Sequence, residues 1–176
     1  MLDKNIVLIG MMGAGKTTIG FKLAKKLKYR FIDIDSQIEK HENRKIVDIF
    51  ENKGEDYFRK IEERTTLFYL DKSKSVISIG GGAFLNDKIR KKIKKNSNSF
   101  WLKWKIKTIL VRVFKNTRRP LALKLSKKDL AELYKKRLKF YKLSDFTVNC
   151  ENKNKNEIIN QISKIVENEV NPNKNI

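Results

Sequence analysis

Short apolar runs alternate along the chain with longer stretches of helical spacing. NIVLIG (5–10) is a β-branched run ended by glycine, which predicts a buried strand. Residues 16–27 place Ile19, Leu23, Ala24 and Leu27 on one helical face. FIDID (31–35) reads as a second short strand, and residues 55–70 as a long helix with Phe58, Ile61, Glu62, Thr65 and Tyr69 at helical spacing. SVISIGGG (75–82) is a strand running into a glycine turn, 87–95 a basic helix and SFWLKW (99–104) a fourth strand. A helix over about 106–115 precedes a loop around RRPLALKLS, then a helix over about 127–143, the strand FTVN (146–149) and a last helix near 156–168. Strands separated by helices of this length predict a parallel sheet covered on both faces. The expected fold class is therefore α/β: a three-layer α/β/α domain with a five-stranded parallel sheet over residues 1–170, and a polar, frayed tail at 171–176.

Composition narrows the setting. The chain has 176 residues, 40% of them apolar, enough for one domain with a core. No apolar run approaches the ~20 residues of a membrane span, so no membrane partner is expected. The opening MLDKNIVLIG carries an acid and too short an apolar stretch for a signal peptide, so a cytoplasmic address is the expectation. The single cysteine, Cys150, has no internal disulfide partner and reads as a small core hydrophobe. A net charge of +21 raises nucleic acid as a partner. Against that, the lysines are spread over the whole chain, with no zinc-finger spacing, RNA-binding aromatic motif or basic tail. They read as solvated helix faces, no nucleic-acid partner is expected, and the positive field favours an anionic nucleotide and an anionic substrate.

The strongest chemical signal is Gly10-Met11-Met12-Gly13-Ala14-Gly15-Lys16-Thr17, which satisfies G-x-x-x-x-G-K-[ST] between a strand and a helix. The backbone of Gly13, Ala14, Gly15, Lys16, Thr17 and Thr18 is placed to wrap phosphates with N–H groups at a helix N-terminus. Lys16 is expected to reach the β- and γ-phosphates of ATP and the Thr17 hydroxyl to bind Mg²⁺. Asp33 and Asp35 point to the same face if 31–35 is a strand, at the end of a parallel sheet where ligands bind. One can serve the metal and the other an acceptor hydroxyl; capping of a following helix is the competing reading. Gly80-Gly81-Gly82 permits close approach to a ligand, and the acid that many P-loop ATPases carry there is missing, which shifts the metal role to Asp33. In a lysine-preferring chain Arg59, Arg119 and Arg137 are suited to a bidentate grip on carboxylate or phosphate, although each taken singly reads as a surface charge.

Taken together, GMMGAGKTTIG, FIDIDSQIE, IVDIFENKGEDYFRKIE, ISIGGGA, RRPL and KKRLKFY resemble the shikimate kinases in order and spacing over residues 5–149. The resemblance implies a P-loop, nucleoside-monophosphate-kinase-like fold and Mg²⁺-dependent transfer of the ATP γ-phosphate to the 3-hydroxyl of shikimate, in the route to chorismate and the aromatic amino acids. Carried over by motif, it implies that Asp35 holds the acceptor hydroxyl and that Asp33 and Thr17 serve one Mg²⁺. Arg59 and Arg137 clamp the shikimate carboxylate, and the backbone at Gly80, Gly81 and Gly82 contacts the substrate. Arg119 belongs to a lid over about 112–125 that closes on the ATP phosphates, with Leu121 to Leu125 as the moving segment, while Arg112 lies against the adenine. Lys16, Asp35 and Arg119 are then the catalytic set.

Two departures from the family pattern bear on the site. Asn43 stands where glycine is common, a residue that tolerates a left-handed turn. Lys139 replaces a proline shortly after Arg137 and raises the question of how that arginine is aimed. Trp101 and Trp104 read as core packing and His41 as a solvated helix residue. A monomer acting on ATP and shikimate is expected. The alternatives are another small-molecule kinase of the same fold, for gluconate or a nucleoside monophosphate, and a basic nucleic-acid-binding module with a vestigial P-loop.

Overall fold

In the computed structural model, which describes residues 4–115 and 125–170, β1 (Asn5–Ile9) is buried along its whole length at the middle of the sheet. Its five residues are apolar except Asn5, as a strand covered on both faces requires. The remaining elements follow in chain order: α1 (Lys16–Leu27), β2 (Arg30–Asp33), α2 (Ile34–Glu42), α3 (Ile46–Leu70), β3 (Ser75–Ser78), a 3-10 turn (Ala83–Leu85), α4 (Asp87–Asn96), β4 (Ser97–Lys103), α5 (Ile106–Phe114), α6 (Lys127–Tyr141), β5 (Phe146–Asn149) and α7 (Lys155–Val170). All five strands are parallel in the order β2-β3-β1-β4-β5. The chain leaves β1 toward one edge and, after β3, crosses to the other side of β1. The loop after β1 therefore lies at the switch in strand order, where α/β sheets bind ligands.

The period-two alternation of each strand divides the core into two layers. Ile6, Leu8, Phe100, Leu102 and Val148 pack with Ile19 and Leu23 of α1, Ile109 and Val113 of α5, and Ile158 and Ile162 of α7. Val7, Ile9, Ile32, Ile77 and Trp101 pack on the other face with Ile38 of α2, Ile49, Phe58 and Ile61 of α3, and Ile89 and Ile93 of α4. Burying each such side chain contributes about 1.5–3 kcal/mol, so a one-residue slip of β1 would expose one layer and is strongly disfavoured. Trp101 and Trp104 both lie in this core, on opposite faces, as expected of them.

The segment after β2 corrects the expected strand over 31–35. The strand stops at Asp33, whose side chain accepts from the Ser36 backbone N–H at 3.2 Å and caps α2. Asp35 therefore lies in the first turn of a helix, not beside Asp33 on a strand face. An Asp with extended backbone and a free N–H three residues on ends a strand as readily as it continues one. Helix α2 is thus the outcome of the capping alternative, whereas the turns of α3 before Gly54 are absent from the expected elements. At Gly54, with φ 78° and ψ 173°, the backbone is not helical and divides α3, so the expected helix over 55–70 is its second part. Asn43 ends α2 in the left-handed conformation, φ 49°, as its residue type allows. Glycine residues 80–82 lie beyond the end of β3 at Ser78, in the turn that leads to Ala83. The expected frayed tail at 171–176 and the greater part of the expected lid, 116–124 with Arg119, lie outside the described residues.

Candidate active site

The loop from Gly10 to Gly15 turns the chain from β1 into α1 with three positive-φ glycines, Gly10, Gly13 and Gly15. Gly15 is the N-cap of α1, and no described side chain caps that end. The first N–H groups of α1 are thus left facing the mouth of the sheet, which is an anion site by geometry and by dipole. Lys16 Nζ donates to the carbonyls of Gly10 at 2.8 Å and Met11 at 3.2 Å, so its ammonium lies across the loop it belongs to. Trp104 supports the loop from below, its Nε1–H donating to the Ala14 carbonyl at 3.0 Å. Arg112 stacks on the same indole with its guanidinium carbon 3.5 Å from the ring centroid.

A cavity of about 550 Å³ opens beside this loop. Its walls include Gly15, Thr18, Trp104, Arg112 and residues Lys153–Asn156, which lead into the first turn of α7. Arg112, expected against a base, and Thr18, expected at the phosphates, both line it. Residues 153–156, a polar turn and the start of α7, carry no motif that marks them in the sequence. Trp104, expected only to pack, is buried at 5% exposure and is also a wall of the cavity.

Thr17 and Asp33 meet at the same mouth, the Thr17 hydroxyl donating to Asp33 Oδ2 at 2.7 Å. With its proton committed to Asp33, the Thr17 oxygen keeps its lone pairs for a cation. One hydroxyl and one carboxylate, with room for water and phosphate oxygens, suit Mg²⁺, which prefers a few protein oxygens and retains waters. No cluster of three or more His, Cys, Asp or Glu residues able to hold a metal occurs among the described residues. The donor set thus fits a metal carried in with a nucleotide better than a resident one.

A second cavity of about 360 Å³ lies between α3, the 80–86 turn and α6, lined by Arg59, Glu62, Gly82, Asn86, Leu133 and Arg137 among others. The three glycines keep it open. A methyl group on Gly82 would lie 2.7 Å from Arg59 Nη1, and one on Gly81 2.9 Å from Arg137 Nη1. A methyl on Gly80 would collide with Glu62 Oε1 and stand 3.3 Å from Asp35 Oδ1. Asp35, Arg59 and Arg137, from three different helices, thus converge on one glycine turn.

The two arginines differ in character. Arg59 donates through Nε and Nη2 to Glu55 Oε1 at 3.1 and 2.9 Å and through Nη1 to Glu62 Oε2 at 2.7 Å. That uses three of its five N–H donors. Glu62 is the residue the sequence reading passed over. It sits on the apolar stripe of the helix, and an acid on such a stripe is itself the signal of a buried, paired carboxylate. Burial raises its pKa above the ordinary 4.5, with the neighbouring Arg59 and Arg137 charges opposing. For Arg59, burial lowers the pKa and the Glu62 and Glu55 carboxylates together more than offset it, so the guanidinium stays charged. The elevation of Glu62 is the direction that holds for the pair, because its side chain is 3% exposed against 36% for Arg59. Arg137 is 7% exposed, its Nε has no hydrogen-bond partner among the described residues, and its Nη1 donates to the Met11 sulfur at 3.6 Å, a weak acceptor. A buried guanidinium without a carboxylate in contact is costly and attracts an anion. Lys139 does not disturb it: α6 runs unbroken to Tyr141 and the Lys139 ammonium lies 5.1 Å over the Phe140 ring.

Comparison with known proteins places these features in a family. The shikimate kinase family model matches residues 12–167. A shikimate kinase of Persephonella marina is 42% identical over 159 residues, covering 90% of this chain and 96% of the relative. In three dimensions, a shikimate kinase from Acinetobacter baumannii in complex with shikimate superposes with a TM-score of 0.88 at 30% identity, covering 94% of each chain. A deoxyadenosine kinase from M. mycoides with bound dATP, 17% identical with a TM-score of 0.65 and covering 93% of this chain and 99% of its own, shares the fold of the P-loop nucleoside-monophosphate-kinase-like proteins.

Proposed function

The chain belongs to the shikimate kinase family, whose ATP-dependent reaction gives shikimate 3-phosphate and ADP, and on that premise we propose which residues carry each half of the reaction. The donor half is the uncapped N-terminus of α1 with Lys16 and Thr18, where the N–H groups and the ammonium meet the ATP phosphates. The base lies in the larger cavity beside Arg112, Trp104 and the 153–156 segment. Thr17 and Asp33 would hold Mg²⁺, which would supply neutralisation of phosphate charge.

The acceptor half is the cavity of Arg59 and Arg137. The observation that carries it is Arg137, a buried guanidinium facing a glycine turn with no described carboxylate in contact. A substrate carboxylate would supply the missing partner, and the two remaining N–H donors of Arg59 would take its other side. With the acid end so fixed, Asp35 at Gly80 is placed to accept the proton of the hydroxyl that attacks the γ-phosphorus. Arg119, in the segment expected to close over the nucleotide, would then add charge at the phosphates and exclude water. Positioning and charge neutralisation supply nearly all that phosphoryl transfer needs.

We further infer a monomeric, cytoplasmic enzyme of small molecules, without a nucleic-acid partner. No described helix is long and apolar enough to cross a membrane. Calorimetric titration of shikimate into the protein and into Arg137→Gln tests the acceptor assignment. Binding weakened about tenfold or more in the variant is the expected result; unchanged binding removes Arg137 from the site.

A further inference from the structure

Tyr141 is the largest fully buried side chain of the core, one helical turn beyond Arg137 on α6. Packing alone would be served by phenylalanine, because a buried hydroxyl is unfavourable unless it is hydrogen-bonded. This hydroxyl is engaged on two sides. It donates to the Gly81 carbonyl at 2.6 Å and stands 3.9 Å from the Met11 sulfur, the same sulfur that accepts from Arg137 Nη1 at 3.6 Å. Burial pushes the hydroxyl up to about 12, with the Arg137 charge opposing, so it remains a donor over the whole working range of pH. Four residues from three segments, the phosphate loop, the glycine turn and α6, thus meet at one buried point.

Three consecutive glycines have no side chains to fix their peptide planes. Ala83 N–H ties the turn back to the Gly80 carbonyl at 3.1 Å, which leaves the orientation of the Gly81 carbonyl to Tyr141. In a trans peptide the carbonyl of Gly81 and the N–H of Gly82 point in opposite directions, and no cis peptide occurs among the described residues. Holding the carbonyl therefore aims the Gly82 N–H, on a residue that lines the acceptor cavity. We propose that Tyr141 is a positioning residue for the acceptor: its O–H sets the Gly81–Gly82 peptide and, with the Met11 sulfur, seats the Arg137 guanidinium. The inference rests on Arg137 binding the acceptor carboxylate.

The test is steady-state kinetics of the full chain with shikimate and ATP varied in turn, for Tyr141→Phe, Met11→Leu and Arg137→Gln, with thermal unfolding of each. Tyr141→Phe is expected to raise the shikimate KM about tenfold and leave the ATP KM within about twofold. Met11→Leu is expected to raise the shikimate KM about threefold, also with little change for ATP, although Met11 lies in the phosphate loop. A merely structural role for the hydroxyl would lower the unfolding temperature and leave the two KM values unchanged or moving together; either result overturns the proposal. Should Tyr141→Phe not fold, Met11→Leu decides, since a phosphate-loop role for Met11 would raise the ATP KM instead. If Arg137→Gln leaves the shikimate KM unchanged, the acceptor assignment itself fails. If it raises that KM while Tyr141→Phe does not, only the role of Tyr141 is lost.

Discussion

The hydroxyl of Thr17 and the carboxylate of Asp33, 2.7 Å apart, join the phosphate loop to the end of β2. Asp33 also caps α2 through its other oxygen. Its two duties are separable. Asparagine caps a helix about as well as aspartate, whereas alanine costs about 0.5–2 kcal/mol. Asp33→Asn is therefore expected to unfold in urea like the wild type but to need several-fold more Mg²⁺ for half-maximal activity. Asp33→Ala is expected to lose both. Equal Mg²⁺ requirements in wild type and Asp33→Asn would leave Asp33 with the cap alone.

The glycine turn gives a prediction of fold kept and pocket lost. A methyl on Gly82 meets the Arg59 guanidinium at 2.7 Å, the end of a long side chain that moves aside at modest cost to stability. Gly82→Ala is expected to keep its circular dichroism and to raise the shikimate KM about tenfold or more, because Arg59 is displaced from the cavity. Gly54→Ala makes the opposite comparison. Nothing lies within 4 Å of its methyl, yet φ of 78° is strained for alanine. A loss of about 1 kcal/mol or more in urea unfolding is expected, with the kinetics unchanged.

Glu62 predicts a pH dependence with a definite sign. Its folded pKa is raised, so the folded chain holds this proton more tightly than the unfolded chain. Stability from this group is then fully present below the ordinary value of 4.5 and falls as pH rises through the elevated folded value. Glu62→Gln removes the titration together with the pH-dependent ion pair to Arg59, and leaves a pH-independent offset from the altered hydrogen bonding at that position. The stability difference between wild type and variant is expected to move in the variant's favour from pH 4.5 toward neutrality. A difference that is flat with pH, from urea melts across that range, would contradict the elevated value.

Cys150 is fully buried, and burial pushes its thiol up to about 12. It is expected to resist a thiol reagent in the native protein at mildly alkaline pH and to react fully, one thiol per chain, in denaturant. Rapid native labelling would show that the end of β5 opens far more readily than its packing implies.

The sheet was legible in the sequence because its signal is local. Short β-branched runs such as NIVLI and SVIS can be little else than buried strands. The phosphate loop was legible because the chemistry needs fixed residues at fixed spacing. Helix α2 was not, since Asp33 and Asp35 at a strand's end fit a continuing strand and a cap equally well. Glu62 and Tyr141 were not, because their roles lie in contacts with residues far along the chain, Tyr141 with Gly81 and Met11 above all. Residues 153–156 carry no signal at all, and only the position of α7 against α1 brings them to the cavity beside the phosphate loop.

The central claim is that this chain joins a phosphate-loop donor site to a pocket for a small hydroxylated acid. The most direct test is an acceptor panel with purified protein, ATP and Mg²⁺, comparing shikimate, gluconate and a nucleoside monophosphate by ADP release and product mass. Rapid formation of a monophosphorylated shikimate and ADP in equal amounts is expected, with little turnover of the other two. Absence of shikimate turnover by folded protein, or a clear preference for gluconate or the nucleotide, would contradict it.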